Sequence, residues 1–190
     1  MQSANVSINQ VTNCFKNLTC KYLQNDYLDY KSRSIHGRTQ FNSNLAHHKQ
    51  DVQKWCNHCL NMGIRTPEDF AHAVFYCPQV QYILHKIQSD LKMENWEISA
   101  SNCILSTNRP PNAIKSELTD CQICDLIWII CHKTFLKSRI KKENVDINLL
   151  KKDIKTQFKT IIRCYPNDPI SERLKTCDLL TLLNSGNTDP

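Results

Sequence analysis

Cys56-Asn57-His58-Cys59, then twelve residues, then His72-Ala73-Val74-Phe75-Tyr76-Cys77-Pro78 is the stretch on which the reading of this chain turns. Two thiols separated by two residues suit a tight turn that aims both sulfurs at one tetrahedral ion, and a later His/Cys pair closes the shell. Cys56, Cys59, His72 and Cys77 are therefore the expected metal ligands, and zinc is the expected ion. Protein fills all four positions, which leaves no place for water or substrate. Such a closed site acts as a structural staple rather than as a catalyst.

The flanks support the spacing. Thr66-Pro67-Glu68-Asp69 reads as a helix start, with Thr66 as N-cap, Pro67 at the first helical position and acids in the first turn. A helix from Pro67 is expected to carry His72 and to bring Cys77 round near its end, with Pro78 kinking or dividing it before it runs on to Lys92. His58, between the two cysteines, is expected to point away from the ion, and His47 and His48 to be solvated.

These residues resemble a known segment. Cys56-x2-Cys59, the Thr-Pro-Glu stretch, His72 to Pro78, and then Val80, Tyr82, Ile83 and Ile87 are similar to the zinc-binding segment that follows the reverse transcriptase domain in non-LTR (LINE-type) retrotransposons. The likeness is close over residues 56–78 and extends more loosely over 30–163. Arg33, Arg38, Phe41 and Leu45 stand upstream, and a Trp128-containing helix followed by a Leu/Ile/Lys-rich one stands downstream. The spacing departs in one place: Thr66 lies further from His72 than is usual, and Asp69 stands where the histidine often sits. Asp69 is thus a rival ligand, but only His72 keeps the four-residue gap to Cys77. The resemblance implies an accessory module that helps to hold RNA or DNA, with a reverse transcriptase as partner in cis or in trans.

Composition sets the outer bounds. In 190 residues with 41% hydrophobic side chains there are only three glycines, which disfavours a β-barrel or a dinucleotide fold and favours helices. The expected fold is mainly α, a multi-helix domain with a Cys-Cys-His-Cys zinc knuckle. Recurrence of Ile8, Val11, Phe15, Leu18 and Tyr22 predicts a helix over residues 7–30, and a second, short one carries Leu45, Val52 and Trp55. Residues 96–105 read as a short segment, closest to extended. Asn108-Arg-Pro-Pro-Asn112 is the best loop. Three parts follow: 1–54, an amino-terminal helical segment; 55–107, the zinc module and its following helix; and 108–190, a basic carboxy-terminal subdomain. Within the last, residues 113–142 predict a helix whose Leu126-Ile-Trp-Ile-Ile-Cys131 centre is apolar all round and therefore buried. A further helix is expected over 146–163, stopped at Tyr165-Pro-Asn-Asp-Pro169, and a final one over 170–183. Cys121-x2-Cys124 falls inside a helix with no flanking turn and reads as a pair of buried thiols.

Eleven cysteines, an odd number, with no basic and apolar leader in the first ten residues, fit a reducing, intracellular setting, nuclear or cytoplasmic and not secreted. No apolar run approaches the length of a membrane span. Charge is uneven: from Lys133 to Arg163 ten basic residues face three acids, while the whole chain carries only +6. Concentrated positive charge on two adjoining helices attracts a phosphate backbone. Lys137, Arg139, Lys141, Lys142, Lys151, Lys152, Lys155 and Lys159 are the expected nucleic-acid contacts.

Enzyme signatures are missing. No Asp-Asp pair stands ready to hold the two metal ions of a polymerase. No Gly-x4-Gly-Lys loop cradles a nucleotide either. The expected function is therefore a zinc-stabilised nucleic-acid-binding accessory module, with no catalytic residues and no small-molecule substrate. The alternatives are a zinc-stapled protein-interaction domain, using Leu179, Leu180, Leu182 and Leu183 as its surface, or a non-functional element fragment.

Overall fold

The apolar run around Trp128 lies at the centre of the architecture. In the computed structural model, which describes residues 21–23, 25–35, 42, 46, 53–93, 96–105 and 115–183, this run lies in the longest helix, and the other described elements gather about it. In chain order the elements are α1 (Asn25–Ile35), α2 (Asn57–Asn61), a π-helical segment (His72–Tyr76), α3 (Pro78–Asp90), α4 (Ala100–Leu105), α5 (Lys115–Lys141), α6 (Ile147–Cys164), α7 (Pro169–Thr176) and α8 (Leu179–Leu182). Among the described residues there is no strand, only an isolated antiparallel bridge between Trp55 and Pro67.

Every residue of α5 from Ile123 to Lys133 is buried, polar Asp125 and His132 among them. A helix apolar on all sides must be surrounded, and α5 packs against α1, the π-helical segment, α6 and α7. Trp128 stands at the centre. Its ring meets Trp96 at 6.0 Å, His132 at 4.7 Å and Phe135 at 6.2 Å in edge-on contacts, and its Nε1 donates to the Cys103 carbonyl. Each such large side chain removed from water contributes about 1.5–3 kcal/mol.

One continuous apolar core runs from Leu23 to Leu183. It crosses the boundary expected near residue 108, because α5 serves as the inner wall for elements on both sides of it. α6 is strongly one-sided: Leu150, Ile154, Phe158 and Ile161 recur at three and four residues and are buried. Asp146 caps it, its Oδ1 accepting from the Asn148 and Leu149 backbone N–H groups at 2.8 and 3.1 Å.

Several expected elements change. A turn over residues 21–23 separates α1 from whatever precedes it, so the helix expected over 7–30 does not run through; its first part, like His47, His48 and the loop at 108–112, lies outside the described residues. Trp55 is extended, not helical, and residues 100–105 are helical where an extended segment was expected. The carboxy-terminal helix breaks at Cys177, which is extended, so α7 and α8 are separate. That break folds Leu179 and Leu183 onto the core, where both are buried. No helix among the described residues is long and apolar enough to cross a membrane.

Candidate metal centre

The two cysteines of the first pair are set by a loop whose ends are tied together. Cys56 N donates to the Thr66 carbonyl and Glu68 N to the Lys54 carbonyl, both at 2.9 Å. Residues 54–68 thus close on themselves around α2. Cys56 precedes α2 and Cys59 lies within it. Gly63, at φ +76°, makes the turn that follows, donating to Leu60 O at 2.9 Å. This closure replaces the helix start expected at Thr66. Thr66 and Pro67 are spent on pairing with 54–56, and the helical turn begins at Phe70. Asp69 caps it, its Oδ1 accepting from His72 N at 2.8 Å. That engagement gives Asp69 a backbone role and leaves it outside the ligand cluster.

The second pair is set by the π-helical winding. Five residues are well past one α-turn of about 3.6, so His72 and Cys77 would diverge around an α-helix. Here Cys77 N donates to His72 O at 2.9 Å, an i to i+5 bond that brings the two ends of one wide turn into register. Cys77 is extended, and Pro78 opens α3 at a position where its missing N–H costs nothing. Pro78 therefore divides two helical segments.

Cys56, Cys59, His72 and Cys77 come together as a buried group whose ligand atoms all lie within 4.8 Å of one another. Cys56 Sγ is 4.0 Å from Cys77 Sγ, and Cys59 Sγ is 3.3 Å from His72 Nε2. A tetrahedral ion with Zn–S bonds of about 2.3 Å and a Zn–N bond of about 2.0 Å requires S–S edges of about 3.8 Å and N–S edges of about 3.5 Å. The cluster fits a metal ion on donor type, donor number and spacing. Residues 56, 59, 72 and 77 would hold it, and its chemistry there is to cross-link four side chains from two segments.

Beside the sulfurs stands Arg139. Its Nη1 donates to Cys56 Sγ at 2.7 Å and lies 3.5 Å from Glu68 Oε2, and both Arg139 and Glu68 are buried. The hydrogen bond from Cys56 holds the Cys77 thiol far below its ordinary value, with His72 and Arg139 helping. Cys56 is pushed up by that same bond and by burial. Burial pushes Glu68 up against the opposing pull of Arg139. For Arg139, burial alone would lower its value, but the charges of Cys77 and Cys56 outweigh it and raise it. A dication held by three thiolates and a neutral imidazole carries one net negative charge, and Arg139 supplies the matching positive one.

Arg139 was expected on a phosphate-binding face, and the structure turns it inward. Lys151 is likewise buried, paired with Asp90 of α3 at 2.5 Å. Lys133 is buried too, over the Tyr27 ring at 3.6 Å. The remaining expected contacts stay at the surface: Lys137, Lys141, Lys142, Lys152 and Lys159 are exposed and Lys155 half-buried. His58 is half-buried outside the cluster, its value lowered by burial and by Arg139. Cys121 and Cys124 are buried on α5 and form no disulfide.

Sequence reasoning missed Glu68 and Arg139 as supports of the centre. A signal existed: Arg139 continues the buried face of Phe135 and Leu136 at four and three residues. Lys151 likewise sits three residues before buried Ile154. The chain matches no protein-family model, no curated protein and no solved structure.

Proposed function

We propose that this chain is a zinc-stabilised nucleic-acid-binding accessory module without polymerase activity of its own, working inside the cell. Zinc is the ion that a closed shell of three thiolates and one imidazole favours. One observation carries the binding reading: after Arg139 and Lys151 are taken inward, Lys137, Lys141, Lys142, Lys152 and Lys159 still stand exposed along α5, α6 and the connection between them. Of the acids in the same stretch, Glu143 only approaches Lys141, at 4.0 Å between two exposed side chains, and Asp146 is engaged in capping α6. The likeness of residues 56–78 to the LINE-type segment gives this reading its context, with a reverse transcriptase as the partner that would share the bound RNA or DNA. The competing interaction surface loses support, because Leu179 and Leu183 are spent on the chain's own core.

The test is binding as a function of salt. Labelled RNA or DNA should bind several-fold to orders of magnitude more weakly at physiological than at low salt, and Lys141, Lys142, Lys152 and Lys159 changed together to Glu should abolish binding. The same four-fold change should leave metal content intact. Affinity that did not vary with salt would refute the proposal.

A further inference from the structure

Two tyrosines beside the Cys/His cluster in sequence stand largely open to solvent. Tyr76 and Tyr82 are 50% and 63% exposed, the aromatic rings most open to solvent among the described side chains. Burying an aromatic ring is the usual way to use it, and an exposed one keeps a flat apolar face open to a partner.

Both rings stand on connected elements. Tyr76 immediately precedes the metal-cluster residue Cys77, and its ring meets Phe75 edge-on at 5.1 Å. Tyr82 lies one turn into α3, which begins at Pro78. Gln81 ties the two segments together, its Nε2 donating to the Phe75 carbonyl at 2.8 Å.

The same region is drawn to the basic connection. Gln79 Nε2 donates to Asn144 Oδ1 at 3.2 Å, which lays the start of α3 beside the turn that carries Lys141 and Lys142. At the far end of α3, Asp90 pairs with Lys151, the neighbour in sequence of exposed Lys152, which ties α6 to the end of the helix that bears Tyr82. Lys86, one turn beyond Tyr82, is held by Asp90 at 3.2 Å. The segment that bears the two rings thus meets the elements that bear the cations, and of the two exposed acids in the connection Glu143 lies 4.0 Å from Lys141 while Asp146 caps α6.

We infer that this face binds single-stranded nucleic acid, with Tyr76 and Tyr82 stacking on unpaired bases and Lys141, Lys142 and Lys152 taking the phosphates. Cations alone would accept a duplex or a single strand. Exposed rings add the term that distinguishes them, because a duplex keeps its base faces stacked inside. The inference rests on the nucleic-acid reading above and gives it a substrate class.

Fluorescence anisotropy with a labelled single-stranded oligonucleotide, and with the same sequence as a duplex, tests it on the full chain. Tyr76→Ala with Tyr82→Ala should weaken single-strand binding by about tenfold or more, the loss that stacking on one or two bases implies. Duplex binding and the salt dependence should stay as in the wild type, and Tyr82→Trp should bind at least as well as the wild type. Unchanged single-strand affinity in the double variant, or an equal loss on duplex, overturns the stacking surface while salt-dependent binding keeps the broader reading. A wild-type chain that binds neither form overturns both. Circular dichroism and metal content of the double variant, expected to match the wild type because both rings are exposed, exclude misfolding as the cause.

Discussion

Cys59 and Arg139 make different demands on one centre. Cys59 supplies a donor that nothing else in the cluster can replace, so Cys59→Ser should reduce bound metal from one equivalent to near none; equal content in variant and wild type would refute the site. Arg139 supplies charge rather than a metal bond. Arg139→Met leaves Glu68 buried without its cation beside an uncompensated centre, at a cost of about 3 kcal/mol in urea unfolding, and Glu68→Gln should recover part of that loss. The four residues of the cluster were legible in sequence because their spacing is short and local. The role of Arg139 was not, since it bonds Cys56 across 83 residues, and the identity of a cation does not say which way it faces.

Among the elements, helix ends and helix pairs carry the tests. Asp146→Ala should lower stability by about 1 kcal/mol through the two N–H groups it stops capping. α5 ends with Lys142 in the left-handed region at φ +58°, where Glu143 N reaches back to Ser138 O at 2.9 Å. That end was placed correctly from sequence, yet no glycine marked it. α3 and α6 are joined by Asp90 and Lys151. Burial would raise Asp90, but its bonds to Lys151 and Lys86 win and lower it below the ordinary 3.8. A depressed carboxyl contributes stability above its unfolded value and loses it as pH falls through the folded one. Asp90→Asn should therefore destabilise the protein at neutral pH, and the gap in urea midpoint should close as pH falls below about 4. A gap that stayed constant to low pH would show that the charge on Asp90 contributes nothing. The Thr66 helix start failed at this scale, because its cap and proline signals were local, whereas residues 54–56 needed partners for their own backbone.

For the whole molecule, α5 is the common wall and the Cys/His cluster is fastened to its end through Arg139. Chelation should lower the melting temperature and speed amide exchange over residues 54–78, while most of the helical signal persists, because the packing of α5 with α6 and α7 does not pass through the four ligands. Loss of the helical signal along with the metal would show instead that the centre nucleates the whole fold. By itself the sequence determined the helical class, the buried run around Trp128, and the four residues that gather as the cluster, since each depends on periodicity or spacing within a few turns of chain. Only the tertiary structure decided that His72 and Cys77 meet through a π-turn and that Asp69 caps rather than joins the cluster. It alone separated Arg139 and Lys151 from the cations left at the surface. Those outcomes depend on which distant groups must be satisfied when the core closes, and local pattern carries no record of that.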